Sequence, residues 1–168
     1  MPIAEELEFA EVEVSAVLAA QMPGQSTSDP TTISKAMGEA FDALMSFLER
    51  HSLVPSGPPR AIYKSYGPEG TNFIVAMPIA SPPARPAEEG PGFVDTLSGG
   101  KALRFTHHGP YQDLIKTYGR ITEFMLSKGL INSEADWARY MPMWEEYLND
   151  PHTTREAALL TYIHLPLP

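Results

Sequence analysis

Cysteine is absent from this 168-residue chain, which excludes a disulfide scaffold, a thiolate metal site and a cysteine nucleophile. Basic residues are scarce: 12 Lys and Arg stand against 21 Asp and Glu, for a net charge of −9. Phosphate backbones are held by basic surfaces, so nucleic acid is not expected as a partner through this chain. No apolar run approaches the length that spans a bilayer. The start, Met1-Pro2-Ile3-Ala4-Glu5-Glu6, has neither the basic region nor the apolar core of a signal peptide. A cytoplasmic protein without membrane contact is the expectation. The chain also lacks an HExxH motif, a Gly-rich phosphate loop, a Gly-x-Ser-x-Gly elbow and a kinase signature. His107 and His108 are adjacent on a strand pattern and point to opposite faces, so they form no chelating pair. Neither a metal nor a cofactor is expected.

What is present suits a single domain with a sizeable core: 43% hydrophobic residues and 10% aromatics. Val12, Val14, Ala16 and Leu18 alternate with polar residues as a half-buried strand. Met22 to Pro30 reads as a Pro/Gly/Ser loop. Ile33, Met37, Phe41, Leu44 and Leu48 recur at helical spacing. Strands at Arg60–Tyr66 and Asn72–Ile79 flank Gly67-Pro68-Glu69-Gly70, a hairpin signal. Ala80 to Gly92 is too rich in proline and glycine for regular structure and reads as a connection.

The order then recurs. Lys101–His107 alternates, with Leu103, Phe105 and His107 on one face. Gly109-Pro110 turns the chain. Tyr111, Leu114, Tyr118, Ile121 and Met125 form a helical stripe, and Gly129 is placed as its C-terminal cap. Ala138–Leu148 and Leu159–Leu165 read as two more strands. The expected fold is α+β: two pseudo-symmetric strand–helix–strand–strand repeats of roughly 80 residues, their antiparallel sheets enclosing a ligand cleft and their helices outside. The whole chain, 1–168, forms one domain, with repeat one at about 8–80, a Pro/Gly-rich connection at 80–97 and repeat two at about 98–168.

The stretch Met143-Trp144-Glu145-Glu146-Tyr147-Leu148-Asn149-Asp150-Pro151 is the most telling. Strand alternation puts Met143, Glu145 and Tyr147 on one face and Trp144, Glu146 and Leu148 on the other. One glutamate therefore turns inward whichever face is buried, and a buried carboxylate needs a hydrogen-bonding partner, a cation or a role in proton transfer.

Several segments together resemble the GyrI-like small-molecule-binding family, whose module also serves as effector-binding domain in AraC- and MerR-type multidrug regulators. The matching residues are Gly57-Pro58-Pro59 before Ile62-Tyr63, Ser98-Gly99-Gly100-Lys101-Ala102, His107-His108-Gly109-Pro110-Tyr111 with Leu114, and the Trp144–Pro151 strand and turn, with a closing Leu165-Pro166-Leu167. The resemblance implies two repeats about a pseudo-two-fold axis and a cleft in which the glutamate of the Glu-x-Tyr strand, here Glu145, sits. Nothing before Val12 or after Leu165 reads as a DNA-binding domain, so the resemblance is to stand-alone members. Some of these bind ligands, and others hydrolyse cyclopropane-containing natural products.

Glu145 is the first candidate for ligand binding. Tyr147, Tyr111 and Tyr63 are wall candidates, an ordinary core role being the competing reading for each. Met143, His107 at the cleft edge or in a turn hydrogen bond, and Trp137 as a closing residue complete the set. Trp144 faces away and is expected beneath a helix, and Glu146 is expected at the solvent or the rim. The leading function is binding of amphipathic, aromatic or cationic small molecules. The alternative is a hydrolase of cyclopropane-containing electrophiles in which Glu145 activates water, and only then are Glu145 and Tyr147 (or Tyr111) catalytic. A third reading takes the acidic cluster Glu5, Glu6, Glu8, Glu11 and Glu13 as a nucleic-acid mimic for contact with DNA gyrase or a regulator protein. A solvated edge strand is the plainer account of that cluster.

Overall fold

The computed structural model describes residues 7–27, 29–67, 69–84 and 90–168. Eight strands form one antiparallel sheet: β1 (Phe9–Val14), β2 (Val17–Ser26), β3 (Arg60–Gly67), β4 (Gly70–Pro78), β5 (Phe93–Leu97), β6 (Gly100–His108), β7 (Met143–Tyr147) and β8 (Leu160–Pro166). Their order across the sheet is β1-β6-β8-β7-β3-β4-β2-β5. The expected repeats are β2-α1-β3-β4 and β6-α2-β7-β8, with helices α1 (Pro30–Arg50) and α2 (Leu114–Ser127). They meet in the middle through β3 and β7, paired from Arg60↔Glu146 to Tyr63↔Met143, so the two antiparallel sheets are halves of one. The sheet curls into a half-barrel with the helices outside it.

Each repeat is flanked by a strand that the sequence did not separate out. β1 precedes β2 in the chain yet pairs with β6, and β5 precedes β6 yet pairs with β2. The single alternating strand expected across Val12–Leu18 is broken between Val14 and Val17. β5 lies at the end of the stretch taken as connection; residues 85–89 of that stretch, like Glu5 and Glu6 of the acidic cluster, fall outside the described residues.

The Met22–Pro30 loop is also corrected: β2 continues through Pro23 and Gly24 to Ser26. Pairing with β5 ends at Gln21, so beyond it Pro23 lies on an open edge, where a missing N–H is tolerated. Gly24 is needed for close approach, since a Cβ there would lie 2.5 Å from the Phe73 ring. Ala138–Leu148 is likewise not all strand. A short 3-10 stretch covers Glu134–Tyr140, entered by a capping box of Ser133 and Asp136, and β7 begins only at Met143. Gly129 caps α2 as expected, with φ +69° and its N–H on the Leu126 carbonyl.

Both helices pack on one face of the sheet. Met37, Ala40, Leu44, Phe47 and Leu48 of α1 bury against Ala20, Met22, Phe73, Val75 and Met77. Ile121 and Met125 of α2 bury against Leu103, Phe105, Ile163 and Leu165. α1 rests on β2 and β4 and α2 on β6, which leaves the central pair β3–β7 between them.

Candidate functional site

A row of directly paired residues crosses the helix-bearing face: Phe9, Phe105, Ile163, Glu145, Ala61, Val75 and Met22. Every member is apolar except Glu145, which is 4% exposed. Alternation along β7 thus buries the expected glutamate on the helix-bearing face, at the seam of the two repeats.

Three phenols compensate its burial. Tyr147, two residues along on the same face of β7, donates to Oε1 at 2.6 Å. Tyr63 of β3 donates to the same oxygen at 3.4 Å. Tyr118, from α2, donates to Oε2. Burial pushes the Glu145 carboxyl above its usual range, and the hydroxyls of Tyr118, Tyr147 and Tyr63 only partly offset it. The Tyr118 and Tyr147 phenols are held well above their ordinary value, first by burial and then by the Glu145 charge. Both therefore remain protonated donors at neutral pH.

The tyrosines are themselves half-buried and continue into an aromatic surface. Tyr147 meets Tyr111 edge-on at 5.4 Å and Phe41 of α1 at 6.0 Å. Tyr111 is shifted upward by burial and then by Asp150 and Glu145, which places it within reach of the same charge. Met143 and Trp137 pack, half-buried, against the α2-side core to which Tyr118 also belongs. Trp137 sits on the 3-10 stretch, 6.4 Å from Tyr140. His107 is tied down rather than open: its ring nitrogens meet Thr117 Oγ1 at 2.6 Å and the Pro110 carbonyl at 3.0 Å. The turn hydrogen bond is what the geometry shows for this histidine.

Tyr118, Phe41 and Thr117 were missed as site residues. Tyr118 and Phe41 stand in the helical stripes that the sequence displays, but a stripe marks the buried face without saying which strand it meets. The weak signal was Tyr118 itself, a hydroxyl set between Leu114 and Ile121 in its stripe, which needs a partner when buried.

The opposite face corrects two expectations. Trp144 does not lie beneath a helix; it stacks on His164 at 4.6 Å and 14°, with the Arg60 guanidinium 5.8 Å from its ring centroid. Glu146 is not a rim charge but pairs with Arg60 at 3.4 Å, the side chains 16% and 12% exposed. Arg104 lies 4.4 Å over the Tyr162 ring. Burial, then Arg60 and Arg104, lower the His164 pKa to about 4, so this ring is neutral at physiological pH.

Among the described residues, no group of three or more His, Asp or Glu is placed to hold a metal ion. No helix among them is long and apolar enough to cross a membrane.

Comparison with solved structures gives the same architecture. The crystal structure of the EcmrR C-terminal domain superposes with a TM-score of 0.73 at 15% identity, covering 95% of this chain and 96% of that one. SAV2435 bound to tetraphenylphosphonium gives 0.63 at 11%, covering 96% and 94%, and a hydrolase from Listeria innocua gives 0.57 at 12%, covering 97% and 93%. At these identities the likeness concerns the fold. Among curated proteins none matches the sequence. Residues 25–168 match the GyrI-like small molecule binding domain, and with six of the eight strands, β3 to β8, and both helices inside that match, the chain belongs to the GyrI-like small-molecule-binding family.

Proposed function

We propose that this protein binds amphipathic, aromatic compounds carrying positive charge, between α1 and α2 over the β3–β7 seam, with Glu145 as the recognising charge. The observation that carries the proposal is the lone buried carboxylate in an apolar row, held by three phenols. Tyr63, Tyr111, Tyr118, Tyr147, Met143 and Trp137 would supply walls, and His107 would support them from behind. An ionised carboxylate has about four acceptor positions, and three hydroxyls already use most of them. A ligand rich in N–H donors would have to displace a tyrosine. A delocalised cation would not, and its rings would meet aromatic edges and faces. At about 4 Å and an effective dielectric of about 20 the charge attraction is on the order of 4 kcal/mol before desolvation. The fold-level neighbour bound to tetraphenylphosphonium supports that cation as a first probe.

The test is a titration of tetraphenylphosphonium into the wild type and Glu145→Gln. Binding by the wild type, weakened at least tenfold in the variant, is expected, since a buried charge partner is worth more than one neutral hydrogen bond. Equal affinities would remove the carboxylate from recognition.

The raised Glu145 carboxyl also favours a second reading, a hydrolase of strained cyclopropane-containing electrophiles. A carboxylate titrating nearer neutrality is a better general base for a water, and Tyr147 or Tyr111 would donate to the developing negative charge. Incubation with such a compound decides it: intact compound after long exposure to excess protein excludes this chemistry.

A further inference from the structure

We infer that His107 is a positioning residue: by tying the Thr117 hydroxyl to the Pro110 carbonyl, it fixes the start of α2 and thereby places the Tyr118 hydroxyl on Glu145. The inference rests on the ligand reading only where affinity is concerned; the carboxylate it acts on is defined without any ligand.

The geometry runs as a chain of contacts. His107 is the penultimate residue of β6 and faces the helices, 3% exposed. A carbonyl can only accept, so the ring's Nε2 carries the hydrogen given to Pro110 O at 3.0 Å. In the neutral ring Nδ1 is then an acceptor, and Thr117 Oγ1, 2.6 Å away, donates to it. The two partners lie at either end of the segment that leaves β6, turns through Tyr111–Asp113 and enters α2 at Leu114. Bridging both nitrogens fixes the length of that segment as well as the rotation of the first helical turn. Thr117 is itself buried, 5% exposed, and the next residue is Tyr118, whose hydroxyl reaches Glu145 Oε2. Tyr111, on the bridged segment, reaches the Tyr147 ring. The imidazole thus sets the one donor to Glu145 that comes from a helix, while the other two, Tyr63 and Tyr147, are set by the strands.

The bridge matters because the carboxylate's charge depends on its donors. Each hydroxyl favours the ionised form, so misplacing Tyr118 lets burial raise the carboxyl further. The groups that face Glu145 are Tyr118 from α2, Tyr147 from β7, Tyr63 from β3, the His107 ring from β6 and Tyr111 from the turn that leads into α2.

The experiment follows the Glu145 side-chain carboxyl by carbon NMR across a pH series, in the wild type, Thr117→Val and Thr117→Ser. Thr117→Val keeps the shape and removes the donor; Glu145 is expected to titrate at higher pH than in the wild type. Thr117→Ser restores the hydroxyl and is expected to restore the wild-type titration. In a Tyr118→Phe background, Thr117→Val is expected to change nothing more, because its route has been removed. Where Thr117→Val does not fold, His107→Gln, which can still reach the Pro110 carbonyl but offers no acceptor at the Nδ1 position, carries the same expectation. For tetraphenylphosphonium, the pH at which affinity is lost on acidification moves upward in step. A carboxyl titrating as in the wild type in folded Thr117→Val, or an equal shift with and without Tyr118, overturns the inference. Absence of tetraphenylphosphonium binding would count against the proposed ligand class and leave the NMR outcome to decide the role of His107.

Discussion

Ala61 stands directly across the β3–β7 ladder from Glu145, and two residues further along each strand, on the same face, come Tyr63 and Tyr147. Both tyrosines donate to Glu145 Oε1. The seam thus places matched tyrosines on the two repeats and one charge between them, opposite a methyl group. A larger residue at Ala61 would press on the carboxylate and its ring of phenols. Ala61→Leu is expected to cost about 1–3 kcal/mol of stability through overpacking and to abolish tetraphenylphosphonium binding. A thermal melt and a titration check it; undiminished binding would place the ligand elsewhere.

Glu145→Gln separates stability from binding. The folded-state carboxyl is raised above its unfolded value by burial. The native state therefore favours the protonated form, and its stability is lost as pH rises from the unfolded pKa through the folded one. The neutral amide escapes that loss. The variant is expected to melt higher than the wild type at pH 8 and to lose the advantage near pH 4. Each kcal/mol gained corresponds to about 2–4 °C in a chain of this size. An unchanged difference between melting temperatures across that range would count against the raised carboxyl.

The opposite face sets an acid limit. His164, 5% exposed and stacked on Trp144, has its pKa lowered from 6.5 to about 4. Above pH 6.5 it is neutral folded or unfolded and contributes nothing. Between those values only the unfolded chain takes the proton, and folding is penalised by up to about 3 kcal/mol. His164→Phe, which keeps the stack, is expected to remove most of that decline between pH 6.5 and 4, as read from denaturant midpoints.

Gly24→Ala tests the strand that the sequence concealed. The added methyl would meet Phe73, a fully buried ring, and the expected loss is about 1–3 kcal/mol. A chemical melt with an unchanged midpoint would mean that β2 and β4 do not approach so closely.

How far the sequence spoke depended on the range of each contact. Strand alternation alone turns Glu145, Met143 and Tyr147 to one side, and helical stripes alone mark the buried faces of α1 and α2; both outcomes hold because they are local. Glycine and proline misled at Pro23 and Gly24, where an open edge and a neighbouring ring override their usual turn chemistry. The remaining gaps involve partners distant in sequence. Tyr118 is 27 residues from Glu145 and Tyr63 is 82, and no spacing rule joins them. Trp144 was expected under a helix because alternation turns it away from Glu145, and His164, on which it stacks instead, offered no periodic signal of its own.

The crossed-over outer strands carry a final consequence. With β1 zipped onto β6 and β5 onto β2, each repeat's outer flank is closed by the segment that leads into its sibling. Neither could be produced on its own as a finished unit: half the gene would leave exposed backbone donors and acceptors along both the outer flank and the seam, and would part Tyr63 from Glu145, Tyr118 and Tyr147. Two separately expressed fragments should instead find each other and restore the seam by complementation.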